Sequence, residues 1–189
     1  MVLPSGGTLT GMISDEAHTP LAGVDVRFDQ VSSVVPSDAA TQTDVHGMYR
    51  LAGAPAGPLS LLVRKEGFRT KLVSGVRVDS SATRRQDVML TALDGGSNLE
   101  LGGIGAALTR AGPGILLGEV YAGDPAARAG LRSGDLILRV DGENVGDLSM
   151  ADVLQRLRGE PGTSVGVSVL RPETGESVEL TIVRGRIIR

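Results

Sequence analysis

Clusters of Gly, Pro, Asp and Ser recur at close, regular intervals through residues 7–93, and they leave room only for short extended runs between them. The runs fall at 8–14, 24–30, 41–43, 48–52, 59–65, 68–78 and 85–93. In the second of them Val24, Val26 and Phe28 alternate with Asp25, Arg27 and Asp29, so one face is core and the other is wet. Strands of that length and spacing predict a small antiparallel sandwich. With only two Phe and two Tyr in the chain, Val, Leu, Ile and Ala must fill the interior, which keeps any core small.

The pattern changes after Leu93, through Asp94, Gly95, Gly96, Ser97 and Asn98, and this stretch is expected to be a short hinge. Beyond it, Gly102, Gly103 and Gly105 bracket Ile104. Glycines reach backbone conformations closed to other residues, so successive N–H groups there can converge on one point and attract a carboxylate. Ala106 to Thr109 follow as a short strand whose edge could accept an extended peptide. A phosphate loop is excluded, because Thr109 to Gly114 break the chain where a helix would have to start.

Asp124 and Pro125 are expected to open a short helix by N-capping, and Gly130 to end it. Residues 136–140 form a buried strand leading to the hairpin signal Asp141-Gly142. Ser149 reads as an N-cap for a helix carrying Met150, Val153, Leu154 and Leu157 at helical spacing, stopped by Gly159 and Pro161. Val165, Val167 and Val169, then Val178, Leu180 and Ile182, alternate as two strands joined around Pro172 to Gly175.

With these residues in view, 99–186 resemble a PDZ domain, and more narrowly the bacterial kind found in tail-specific proteases. The resemblance is carried by Gly103, Ile104, Gly105 and Ala106, by 123–131, by Gly134, Asp135, Leu136, Ile137, Val140, Asp141, Gly142 and Val145, and by Arg158, Gly159, Pro161, Gly162 and Thr163. It implies that the amides of Ile104, Gly105 and Ala106 face a ligand carboxylate. It also implies that the strand through Ala107 and Leu108 pairs with the peptide, and that Met150, Leu154 and Leu157 form the facing wall. Ala106 stands where the family commonly has a bulky apolar residue, which implies a roomier pocket. No Lys or Arg immediately precedes the loop, and Glu100 is expected to repel a carboxylate.

The front half resembles the carboxypeptidase regulatory-like domain, a transthyretin-like sandwich. The matching residues are Gly11, Ile13, Asp15, Pro20 to Val24, Val26, Thr43, Asp44, Gly47, Tyr49, Leu51, Pro55, Gly57, Val63, Gly67 and Phe68. No catalytic residue transfers from it, and Asp44 with Gly47 is expected to close a turn rather than hold a cation.

The expectation is therefore a mainly β chain: a small antiparallel β-sandwich over 7–93, then a PDZ-like, partly open β-barrel with two helices over 99–186. A net charge of −3, evenly spread, offers no basic footprint for nucleic acid or anionic lipid. The absence of Cys removes thiol chemistry, and no run is long enough to span a bilayer. His18 and His46 stand beside turn residues, and Asp135 and Asp141 stand where turns need capping oxygens, so no catalytic residue, cofactor or metal is assigned. The family resemblances imply a piece of a longer protein of the bacterial cell envelope, touching a membrane only through a part outside this chain. Three roles stay open: a non-enzymatic module for extended or C-terminal peptides, a substrate-recognition part of a larger protease, and a structural adaptor. In the last, residues 184–189 would fill the groove in cis or between copies.

Overall fold

A computed structural model describes residues 6–29, 39–54 and 57–188; Gln30, Pro55 and Arg189, which entered the expectations above, lie outside them. The chain divides into two compact units, one running through Leu101 and one spanning Gly102–Ile187.

The first unit holds β1 (Gly7–Ser14), β2 (Asp25–Phe28), β3 (Ala40–Gln42), β4 (Met48–Ala54), β5 (Gly57–Arg64), β6 (Thr70–Val78), β7 (Thr83–Arg85), β8 (Val88–Met89) and the start of β9 (Leu99–Gly103). β1 lies between β4 and β7 and also pairs β8, while a second sheet runs β9-β6-β5-β2-β3. In β2 the side chains of Val26 and Phe28 are buried and Asp25 and Arg27 are exposed, the alternation that the sequence shows. Leu9, Ile13, Val24, Val26, Leu61, Val63 and Leu90 are fully enclosed at the centre. Thr43 ties this core to the backbone: its buried hydroxyl accepts the Val24 N–H at 2.9 Å and donates to the Leu21 carbonyl at 2.6 Å.

Three expectations are adjusted. The run expected over 85–93 is two short strands, β7 and β8, both parallel to β1. Between them the Asp87 carboxylate accepts the Met12 N–H at 2.8 Å, so a side chain replaces a rung of the ladder. The run expected from 68 starts at Thr70, because the Phe68 N–H closes a turn on the Lys65 carbonyl around left-handed Gly67. The expected hinge is held down on its own unit: buried Arg69 reaches Asp94 at 2.5 Å and the Ser97 carbonyl at 3.0 Å, and the Thr70 N–H donates to the Asn98 carbonyl. β9 then starts at Leu99, parallel to β6.

The second unit contains β10 (Ala106–Ala111), β11 (Gly114–Val120), α1 (Pro125–Arg128), β12 (Leu136–Val140), β13 (Glu143–Asn144), α2 (Met150–Leu157), β14 (Ser164–Arg171) and β15 (Glu176–Val183), followed by β16 (Gly185–Ile188). Its sheet runs β10-β11-β12-β14-β15, with β13 on β12, and it does not close into a barrel. Asp141 and Gly142 both have positive φ, as a tight two-residue hairpin turn between β12 and β13 requires. Val165, Val167 and Val169 alternate into a core shared with Ile115, Leu117, Ile137, Val153 and Leu157. α2 begins on a full capping box, with Ser149 and Asp152 each accepting the other's backbone N–H.

Candidate functional site

The Gly103–Ala106 loop is shaped by its carbonyls. The Gly102 carbonyl accepts the Gly159 N–H at 3.3 Å, that of Ile104 accepts the Ala126 N–H at 2.7 Å, and that of Gly105 accepts the Tyr121 N–H at 3.4 Å. With its acceptors turned inward, the backbone presents its donors on the other side. Among the described residues, neither the Ile104 nor the Gly105 N–H donates to a protein acceptor. Both residues are buried, and backbone donors left unpaired in such surroundings are rare and cost about 1–3 kcal/mol. Gly105 has φ 72, which explains the glycine, and a Cβ on Gly102 would strike the Gly159 carbonyl, so the close approach there also depends on glycine.

β10 leaves this loop as the terminal strand of its sheet, with β11 on one side and no strand on the other among the described residues. Ala106 and Leu108 are half-buried against the core, while Ala107 is exposed. On α2, Met150 and Leu154 are half-buried, and Val153 lies in the core as its position implies. Leu157, expected on the wall, is only 2% exposed and belongs to the same core cluster as Ile104. The side chains at an accessible flank are therefore those of Met150 and Leu154.

Two arginines brace these elements, and neither was singled out by the sequence. Arg110, on β10, donates to the carbonyls of Val145 at 2.7 Å and Leu148 at 2.6 Å, just before the α2 cap. Arg184 donates to the carbonyls of Arg156 at 2.6 Å and Leu157 at 3.3 Å, and to Thr163 and Ser164 beyond them. It thus caps the C-terminal end of α2, beside the Gly159 that meets the loop. Burial pulls its pKa below the ordinary arginine value, although arginine stays charged at working pH. No residue spacing announces such long-range contacts; a basic residue close after an alternating strand is the only hint.

Two electrostatic expectations change. Glu100 is buried and paired with Lys71 at 2.9 Å, so its charge is neutralised rather than left beside the loop. Asp124 occupies the N-cap position of α1 but makes no side-chain capping bond. Its carboxylate lies against Gly105 instead, where any Cβ would overlap it. Asp135 and Asp141 have structural partners, Arg132 N–H and Gly166 N–H respectively. Asp44 accepts the N–H groups of His46 and Met48 in a turn, and these bonds, that from Met48 foremost, hold its carboxyl below the usual range.

Comparison with known proteins gives this geometry a context. A family model of the carboxypeptidase regulatory-like domain matches residues 8–91, and a PDZ domain model matches residues 117–171, beginning beyond the loop and β10. The Na(+)/H(+) exchange regulatory cofactor NHE-RF1 of Gallus gallus is 44% identical over 64 residues, which is 34% of this chain and 19% of that protein. The carboxy-terminal processing protease CtpB of Bacillus subtilis is 29% identical over 85 residues, 45% of this chain and 18% of the protease. A crystal structure of the PDZ domain of a Vibrio cholerae carboxy-terminal protease with a peptide is 34% identical, covering 48% of this chain and 99% of that one at a TM-score of 0.43. The chain spans about a fifth of the length of the curated relatives it matches. It carries a carboxypeptidase regulatory-like domain followed by a PDZ domain.

Proposed function

We propose that this chain is a non-enzymatic recognition module of the bacterial cell envelope, whose PDZ domain takes an extended C-terminal peptide as an added strand along β10. The observation that carries this reading is the conjunction of a terminal strand with two buried residues, Ile104 and Gly105, whose amides have no protein acceptor. A carboxylate seated on the amides of Ile104, Gly105 and Ala106 would complete them, and the ligand backbone would then run beside Ala107 and Leu108. Met150 and Leu154 would meet alternate ligand side chains, with methionine adapting to several shapes and Leu157 lying beneath. At about 1 kcal/mol net per backbone hydrogen bond, four or so such bonds give modest, exchangeable affinity.

The test is an array of random free C-terminal peptides probed with the full chain, followed by titration of the best binder, its carboxamide twin, and versions N-methylated at single positions. Strand addition predicts saturable binding that weakens for the carboxamide and for methylation at every second residue. Equal affinity across all methylated versions would refute it.

A second reading is favoured by the protease names of several relatives and by the small share of their length that the chain spans. In it, this module selects substrates for a protease domain carried elsewhere in the same protein. Reading the parent gene for a serine and lysine domain decides between the two. The adaptor alternative needs the groove filled by residues 184–189, in cis or between copies; among the described residues of one chain β16 is not a neighbour of β10, which speaks against the arrangement in cis alone.

A further inference from the structure

The two walls of the groove, β10 and α2, run in opposite directions and are tied differently at their two ends. Beside the loop the tie is main chain: the Gly159 N–H, just beyond α2, donates to the Gly102 carbonyl at 3.3 Å. At the far end it is a side chain. Arg110 lies opposite Ile115 in the β10–β11 register, and Ile115 is enclosed in the core, so Arg110 projects from the sheet face that carries α2. Its guanidinium donates to the carbonyls of Val145 at 2.7 Å and Leu148 at 2.6 Å. Val145 is fully buried in the core, so one prong rests on a fixed point, while the other holds the residue just before the Ser149 cap. The buried side chains of α2 are Val153 and Leu157, both beyond its first three residues, whereas Met150 is half-buried and Asp152 exposed. The start of the helix therefore depends on Arg110 for its distance from β10.

Resting on the peptide-binding role proposed above, we propose that Arg110 is a positioning residue that fixes the width of the groove at its Met150 end, and so limits the size of the ligand side chain accepted there. Met150 and Leu154 stand four residues apart on α2, about 6 Å along its axis, and two residues of an added strand advance about 6.8 Å. Alternate ligand side chains would thus pass Leu154 and then Met150. Both Arg110 bonds are at the short end of the hydrogen-bond range, so α2 has no slack to withdraw from a bulky group without breaking them. Methionine can move its own side chain, but not the backbone that bears it. The partner this fits carries a small side chain at the residue facing Met150, whatever residue faces Leu154.

The experiment compares the full chain with Arg110→Met, which removes every donor, and Arg110→Lys, whose ammonium lacks the planar fork that serves two carbonyls. The first arm needs no ligand. Because the chain has no Cys, Thr109→Cys and Ala151→Cys place one nitroxide label on each wall, and electron spin resonance reads their separation. A single narrow distance is expected with Arg110, a longer and broader distribution with Met, and an intermediate one with Lys. The second arm titrates an octapeptide picked from a random array of free C-termini, remade with Ala or Phe at each of its last four residues. At the third residue from the end the native protein should prefer Ala to Phe by about tenfold or more, and Arg110→Met by about threefold or less, with Lys between them. The ratio at the last residue should stay the same in all three. A third-residue ratio that does not change, or ratios that change alike at every position, overturns the part assigned to Arg110 while peptide binding stands; so does an unchanged label separation. If Arg110→Met does not fold, Arg110→Lys carries both comparisons. If no array peptide binds any of the three proteins, the peptide-binding role fails first and the size limit goes with it, whatever the labels report.

Discussion

Replacing Arg184 by Met keeps most of the side-chain length and removes every donor, so it isolates what the guanidinium does at the end of α2. Four acceptors lose their partner: the carbonyls of Arg156, Leu157 and Ser164 and the hydroxyl of Thr163. A hydrogen bond from a charged donor contributes about 1.5–3 kcal/mol. Taking the low value and halving it for partial exposure gives a loss of about 3 kcal/mol. Loss of a cation at the negative end of the helix adds about 0.3–1 kcal/mol. In a unit of this size each kcal/mol moves the midpoint by about 4–8 °C, so the second unit should melt at least 12 °C or so earlier. The assay is calorimetry of the full chain together with amide hydrogen exchange. The Arg158 N–H, bonded to the Leu154 carbonyl, should exchange faster than the Asp152 N–H at the capped start of the helix. A midpoint shift below about 3 °C with unchanged exchange at Arg158 would refute the view that this arginine fixes the helix end.

Other outcomes test the first unit. Thr43→Val strands the Val24 N–H and the Leu21 carbonyl inside the sandwich, and urea unfolding should show a loss of about 2–5 kcal/mol. Lys71→Met leaves Glu100 buried without its ammonium partner; a drop of about 2–4 kcal/mol is expected, smaller than for a fully enclosed pair because Lys71 is partly exposed. The Arg69 guanidinium holds the exposed Asp94 carboxyl below its ordinary value of 3.8. A carboxylate with a depressed folded-state pKa contributes fully above the unfolded value and loses that contribution as pH falls through the folded one. The stability gap between the native protein and Asp94→Asn, followed by urea midpoints, should thus be present at neutral pH and close below pH 3.8. A gap that stays constant down to strongly acid pH would discard the ion pair as its source.

Where local chemistry alone decides an element, it could be read from the residues. Val24, Val26 and Phe28 alternate because the pleat has period two, Asp141-Gly142 turns because both residues tolerate positive φ, and Ser149 caps because Asp152 stands three residues on. What escaped was decided by partners distant along the chain. Asp87 splits β7 from β8 by binding Met12, Arg69 pins down a stretch rich in glycine that otherwise looks like a hinge, and Asp124 gives up a cap for contact with a loop that precedes it. The loop followed the same division. Its glycines were legible as a backbone device, but the carbonyl bonds to Gly159, Ala126 and Tyr121 that aim its amides come from three separate segments.

Those three carbonyl bonds carry a practical corollary. Because main chain rather than side chains sets the loop's curvature, exchanges at Ala106, Leu108, Met150 and Leu154 alter the neighbouring surface without touching the scaffold that aims the donors. A combinatorial library randomised at those positions, with Gly102 and Gly105 left alone, should yield many folded clones of divergent preference. Diversity seeded at the glycines should yield mostly insoluble ones.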